Sequence, residues 1–109
     1  MRYYELTIIQ DGNATKSKQR ELIKVVKEAV KHRSGEVVEY EDDGVKTLPY
    51  EITIQGTTYK RGHYHFMLIK FLNDHAGATS LANYLNTYPD VLRYLLVLRD
   101  PKYAPKEES

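Results

Sequence analysis

The chain contains no cysteine, which excludes a disulfide framework and thiolate chemistry and leaves the redox compartment unmarked. It also has almost no charge imbalance: 16 Lys and Arg stand against 15 Asp and Glu, a formal +1. Bulk charge that small does not gather phosphate around a molecule, so any nucleic-acid contact must come from local clusters. No apolar run nears the roughly 20 residues of a membrane span. The opening "MRYYELTIIQ" enters an apolar strand at once, so a signal or cleavable transit peptide is not expected in it; an organellar protein would carry internal targeting information, or this is the mature form.

What is present fits one folded domain over residues 1–100, followed by a short polar tail over 101–109. The chain's 109 residues can bury a real core, so neither a metal nor a staple is needed for stability. Arg2 to Gln10 alternates at period 2, with Tyr4, Leu6 and Ile8 opposite Tyr3, Glu5, Thr7 and Ile9, and predicts a strand. "DGNAT" is turn chemistry, with Thr15 as the expected N-cap of a helix over 16–32 whose apolar stripe is Leu22, Val25, Val26 and Ala29. Gly35 stands where that helix should stop. Glu36 to Ile54 reads as a long second strand, with a bulge or bend at "EDDG" and Pro49 best tolerated at an edge strand or a ladder end. A polar loop is expected over 55–62 and a third strand over His63 to Phe71. A second helix over 74–87 and a last strand over 91–99 complete the chain.

The order strand, helix, strand, strand, helix, strand predicts an α+β ferredoxin-like βαββαβ sandwich. Two right-handed crossovers give a four-stranded antiparallel sheet with both helices on one face and the other face open. Catalysis has no foothold in this pattern. There is no Gly-rich phosphate loop and no nucleophile elbow. A small phosphatase of this fold would carry an Arg in the loop after the first strand, where this chain has Asp11, Gly12 and Asn13. Glu39, Glu41, Asp42 and Asp43 cluster at a bend with no base placed beside them, which is the pattern of solvated acids. His63 and His65 share a strand face but lack a third ligand at diagnostic spacing. The reading is therefore of no catalytic residue, no metal and no cofactor.

The open face is more informative. With Met67, Ile69 and Phe71 on the helices, Tyr64, Phe66, Leu68 and Lys70 point the other way. Beside them fall Arg93, Leu95, Val97 and Arg99 on the last strand. Such a face is apolar in its middle and basic at its margins, and it implies a protein partner, with Tyr64, Phe66, Leu68, Leu95 and Val97 as its contacts. "RGHYHF" has the outline of the third strand of an RNA recognition motif. That motif needs stacking aromatics where this chain has His63 and His65, and "YYELTIIQ" lacks the companion first-strand pattern. The other use of an open ferredoxin-like face is self-association, as in a regulatory or ligand-binding domain that homodimerises.

Four segments in order, "RYYEL", "SGEVVEYEDDGVKTLPYEI", "RGHY" and "YPDVLRYLLVL", resemble the family of the sixth protein of the small ribosomal subunit, bacterial and organellar type. The resemblance runs from Arg2 to about Arg99. "LPYEI" and "RG" are closer to mitochondrial members, and the acidic tail common in bacteria is cut down to "KEES". The resemblance implies a non-enzymatic constituent of the small subunit. It implies binding to central-domain rRNA at the platform, with the eighteenth small-subunit protein as heterodimeric partner, in mitochondria or alternatively the bacterial cytoplasm. By position it implies rRNA contact through Arg2 and Arg93, and through Lys46 on the hairpin. The residues themselves add Lys60, Arg61 and His63 as a basic cluster beside the third strand, and Arg99 at the face's margin. Arg and Lys on phosphate would position the protein without reading base sequence.

Overall fold

The computed structural model describes residues 2–72 and 76–99. Its elements are β1 (Arg2–Asp11), α1 (Lys16–His32), β2 (Gly35–Ile54), β3 (Thr57–Phe71), α2 (Ala76–Thr87) and β4 (Arg93–Leu98). They form a four-stranded sheet in the order β2-β3-β1-β4 with every neighbouring pair antiparallel. This is the ferredoxin-like arrangement expected from the sequence. The expected tail and the first residues of the expected second helix lie outside the described residues.

Alternation fixes which face is core. Tyr4, Leu6 and Ile8 of β1 pair with Ile69, Met67 and His65 of β3. All of these but His65 pack with Leu22, Val26, Ala29 and Val30 of α1 and with Ala78, Leu81 and Leu85 of α2. Both helices therefore cover one face. Thr15 caps α1 by accepting from Lys18 N at 3.2 Å, as its sequence position predicted. The helix ends differently from expectation. Ser34, at φ 60, takes the left-handed position. Gly35 is needed instead for space, because a Cβ there would stand 2.7 Å from the Phe71 ring and 2.9 Å from Val30.

The expected loop over 55–62 is a correction. Strands β2 and β3 run on to a two-residue turn at Gln55 and Gly56, both at positive φ (49° and 81°), with Ile54 paired to Thr57. Two central residues at positive φ make the tight hairpin turn whose twist matches that of the strands. The result is an arm that lengthens the molecule to 45 Å against 25 and 23 Å in the other directions. The bulge expected at "EDDG" falls between Asp42 and Gly44. Pro49 lies on an edge strand, in the irregular stretch between Thr47 and Ile52, where no ladder bond is missed.

Candidate functional site

The uncovered face carries Tyr3, Glu5, Thr7 and Ile9 of β1, in register with Lys70, Leu68, Phe66 and Tyr64 of β3. On the other side of β1, Glu5, Thr7 and Ile9 align with Val97, Leu95 and Arg93 of β4. This is the phase read from the sequence. Leu95 (63% exposed) and Val97 (46%) present aliphatic surface to solvent, and Phe66 and Tyr64 are half-buried beside them.

At the end of the face nearest the arm lies an apolar hollow of about 480 Å³, lined by Ile9, Leu48, Pro49, Tyr50, Ile52, Tyr64 and Arg93. Its floor depends on Gly62. A Cβ at that position would meet Ile9 Cγ2 at 2.5 Å and Leu48 Cδ2 at 2.8 Å, so the bare backbone lets Leu48 fold inward. Leu48 and Ile52 are buried, whereas Tyr50 between them is 85% exposed. Two cations border the hollow. Arg93 is exposed on its wall, and the Lys46 ammonium stands 5.0 Å from the Tyr64 ring centre, within cation–π range.

Other site residues are placed differently from expectation. Leu68 has the expected phase but is fully buried, since β3 is central and Glu5 and Glu39 flank it on β1 and β2. It cannot present its side chain to a partner. Arg99 is half-buried and donates to Glu5 Oε1 at 3.0 Å, so its charge is already matched. Arg2 shares the phase of Tyr4, on the helix side, at the far end of β1 from Ile9 and its partner Arg93. Those two cations do not form one patch. Lys60 and Arg61 are both exposed but adjacent on one strand, so they point to opposite sides of the arm.

His63 is a correction among the expected RNA-contacting cations: it is 5% exposed and faces the helix side. Its Nε2 lies 2.6 Å from Asp42 Oδ1, and its ring stacks on His65 with centroids 4.4 Å apart and planes 12° apart. The hydrogen bond with His63 is the main cause holding the Asp42 carboxyl below its usual range. His65 Nε2 meets Gln10 Oε1 at 3.0 Å, Gln10 Nε2 donates to Lys18 O at 3.3 Å, and Tyr40 OH lies 2.7 Å from His65 Nδ1. That chain assigns the proton to Nε2 and makes Nδ1 the acceptor of the Tyr40 hydroxyl. Burial, with the neighbouring His63, depresses the His65 pKa to about 4. Burial, with Asp42 and Asp43, raises that of Tyr40 to about 12. His63, read from sequence as a surface cation, is thus buried against Asp42, and His65 is held in the Gln10–Tyr40 hydrogen-bond chain. Among the described residues no group of three His, Cys, Asp or Glu is placed to hold a metal ion.

The uncovered face thus combines exposed aliphatic side chains with flanking cations. The sequence model of ribosomal protein S6 matches residues 3–98. The chain is 29% identical over 108 residues to small ribosomal subunit protein bS6 of Nitratiruptor, covering 99% of this chain and 77% of that protein. It is 28% identical over 100 residues to bS6 of Desulforudis audaxviator, covering 92% of this chain and all of that protein. The fold superposes on 30S ribosomal protein S6 from Thermotoga maritima with a TM-score of 0.77 at 23% identity, over 90% of this chain and 87% of the other. With a family match spanning nearly its whole length, the chain belongs to the ribosomal protein S6 family.

Proposed function

We propose that this protein is a structural, non-catalytic constituent of the small ribosomal subunit that binds rRNA and a small protein partner together. The observation that carries this reading is the apolar hollow lined by Arg93 and Tyr64, with Lys46 over the Tyr64 ring and exposed Leu95 and Val97 on the same sheet face. A hydrophobic centre with a cationic rim suits a partner protein that is itself seated on RNA. Family membership makes the eighteenth small-subunit protein the partner of choice, with the hollow taking an apolar side chain. Phosphates of the central-domain rRNA would sit against Arg93, Lys46 and the exposed Lys60 and Arg61 of the arm, and Arg2 would touch RNA from a separate edge. The mitochondrial location rests on "LPYEI" and "RG"; the relatives named above are bacterial, and the bacterial cytoplasm is the alternative.

Mixing the chain with the eighteenth protein and measuring affinity by calorimetry tests the partner assignment. Leu95→Asp with Val97→Asp should weaken the complex at least tenfold while leaving the melting temperature within a few degrees. A complex of undiminished affinity would remove the open face as the interface. A symmetric homodimer in dilute, RNA-free solution would favour the self-associating alternative.

A further inference from the structure

Helix α1 carries a second charged surface, on the layer opposite the open face. Arg20, Lys24, Lys27 and Lys31 are all exposed. Their spacing of four, three and four residues aligns them along one side of the helix. At 1.5 Å per residue the stripe is about 16 Å long. It lies opposite Leu22, Val26 and Ala29, which face the core, so it points away from the sheet. Among the described residues none of the four cations is in an ion pair with a carboxylate, although Glu21 and Glu28 sit on the same helix. Lys27 leans over the Tyr40 ring at 5.8 Å. On the open face, by contrast, Arg99 is matched by Glu5, and Lys70 lies 3.9 Å from Glu36. The stripe borders a shallow hollow of about 430 Å³ that Ile23 and Glu28 also line, one carboxylate among four cations. A chain with a net charge of only +1 has therefore concentrated an excess of positive charge, four cations to one carboxylate, along one side of this helix.

We infer that this stripe is a second RNA contact, a track for the phosphate backbone of an RNA helix lying across α1. The inference rests on the ribosomal reading above, which surrounds the protein with RNA. Charge complementarity selects the occupant: cations about one helical turn apart, unpaired and on a rigid element, match a repeating line of phosphates. A membrane surface fits less well, because the apolar side of α1 is spent in the core and leaves nothing to insert. The protein would then bridge two RNA segments, one at the rim of the open face and one on α1.

The test is anisotropy of a fluorescent RNA duplex about two turns long, titrated with the full chain at several KCl concentrations. The comparison is with R20Q/K24Q/K27Q/K31Q, whose Gln residues keep helix propensity. Each lost phosphate contact removes roughly 0.9 from the slope of log affinity on log salt, so the slope should fall by about three to four. Equivalently, a fourfold rise in salt should cost the wild type roughly a hundredfold more than the variant. The pair K24Q/K31Q should fall by about two, which keeps the test available should the fourfold variant fold poorly. An unchanged slope, or no duplex binding by the wild type, overturns the inference. Equal binding by the stripe to polyglutamate or to phosphatidylserine vesicles overturns it as well. Sedimentation of the wild type with small subunits is scored separately. Its absence condemns the ribosomal reading, whereas its presence with an unchanged slope condemns only the α1 track.

Discussion

His65 and Leu68 are three positions apart on β3 and both are withdrawn from water, for different reasons. His65 is held neutral under the helices, with its pKa depressed to about 4 against about 6.5 in an unfolded chain. Between those values the unfolded chain binds more protons, so stability is full above about pH 6.5 and declines as pH falls towards 4. The expected loss is roughly 1–3 kcal/mol. Thermal melts across that window should show it, and His65→Gln should flatten the dependence; an equal slope in the variant would assign the titration elsewhere. Leu68 is buried by its neighbours on a face that lacks a second layer. Leu68→Ala should cost about 2–5 kcal/mol in urea denaturation, whereas Leu95→Ala, on the same face but exposed, should stay within about 0.5 kcal/mol. Period-2 alternation tells which face a residue takes and not how deeply it sits. For this reason Leu68 and Leu95 read alike in the sequence, and His63 read as a surface cation.

Among the elements, the β2–β3 arm shapes the site. Its length was hidden by composition: "QGTTYKRG" is polar throughout, which resembles a loop, although both sides of a hairpin arm projecting into solvent are free to be polar. The turn itself gave a weak signal, since Gln55 in the left-handed region lacks the usual preference of Asn or Asp. The edge position of Pro49 and the bulge at Gly44 were legible because each answers a local backbone constraint. Leu48 and Ile52 were not, because their burial depends on the arm curling over the end of the sheet. Gly62→Ala tests that link. The added methyl would collide with Ile9 and displace Leu48, costing roughly 1–3 kcal/mol and opening the hollow. Calorimetry with the eighteenth protein should then show weaker binding than the loss of stability alone explains. Unaltered affinity would mean that the floor of the hollow is not part of the interface.

For the whole molecule, the small net charge suits the proposed role. A protein that positions RNA needs rigid placement of a few cations rather than a strong field. The fold was readable because apolar periodicity specified six elements in an order with few packing solutions. The cationic surfaces were only partly readable, because the topology, and not the sequence, decides which cations share a face. Arg2 and Arg93, both implied as rRNA contacts, fall on opposite sides of the sheet; Lys46 and Arg93, far apart in sequence, both flank Tyr64 and the hollow it lines. Arg93→Glu with Lys46→Glu should therefore weaken incorporation into small subunits while leaving the isolated domain folded, as both side chains are exposed. Circular dichroism melts and reconstitution would check the two halves of that statement.

Membership of the small subunit can be tested by fractionating native extract on a sucrose gradient at high magnesium and moderate salt. Probing the fractions for this protein should find it with the small subunit. Recovery at the top of the gradient, as a free protein or a homodimer, would contradict the account.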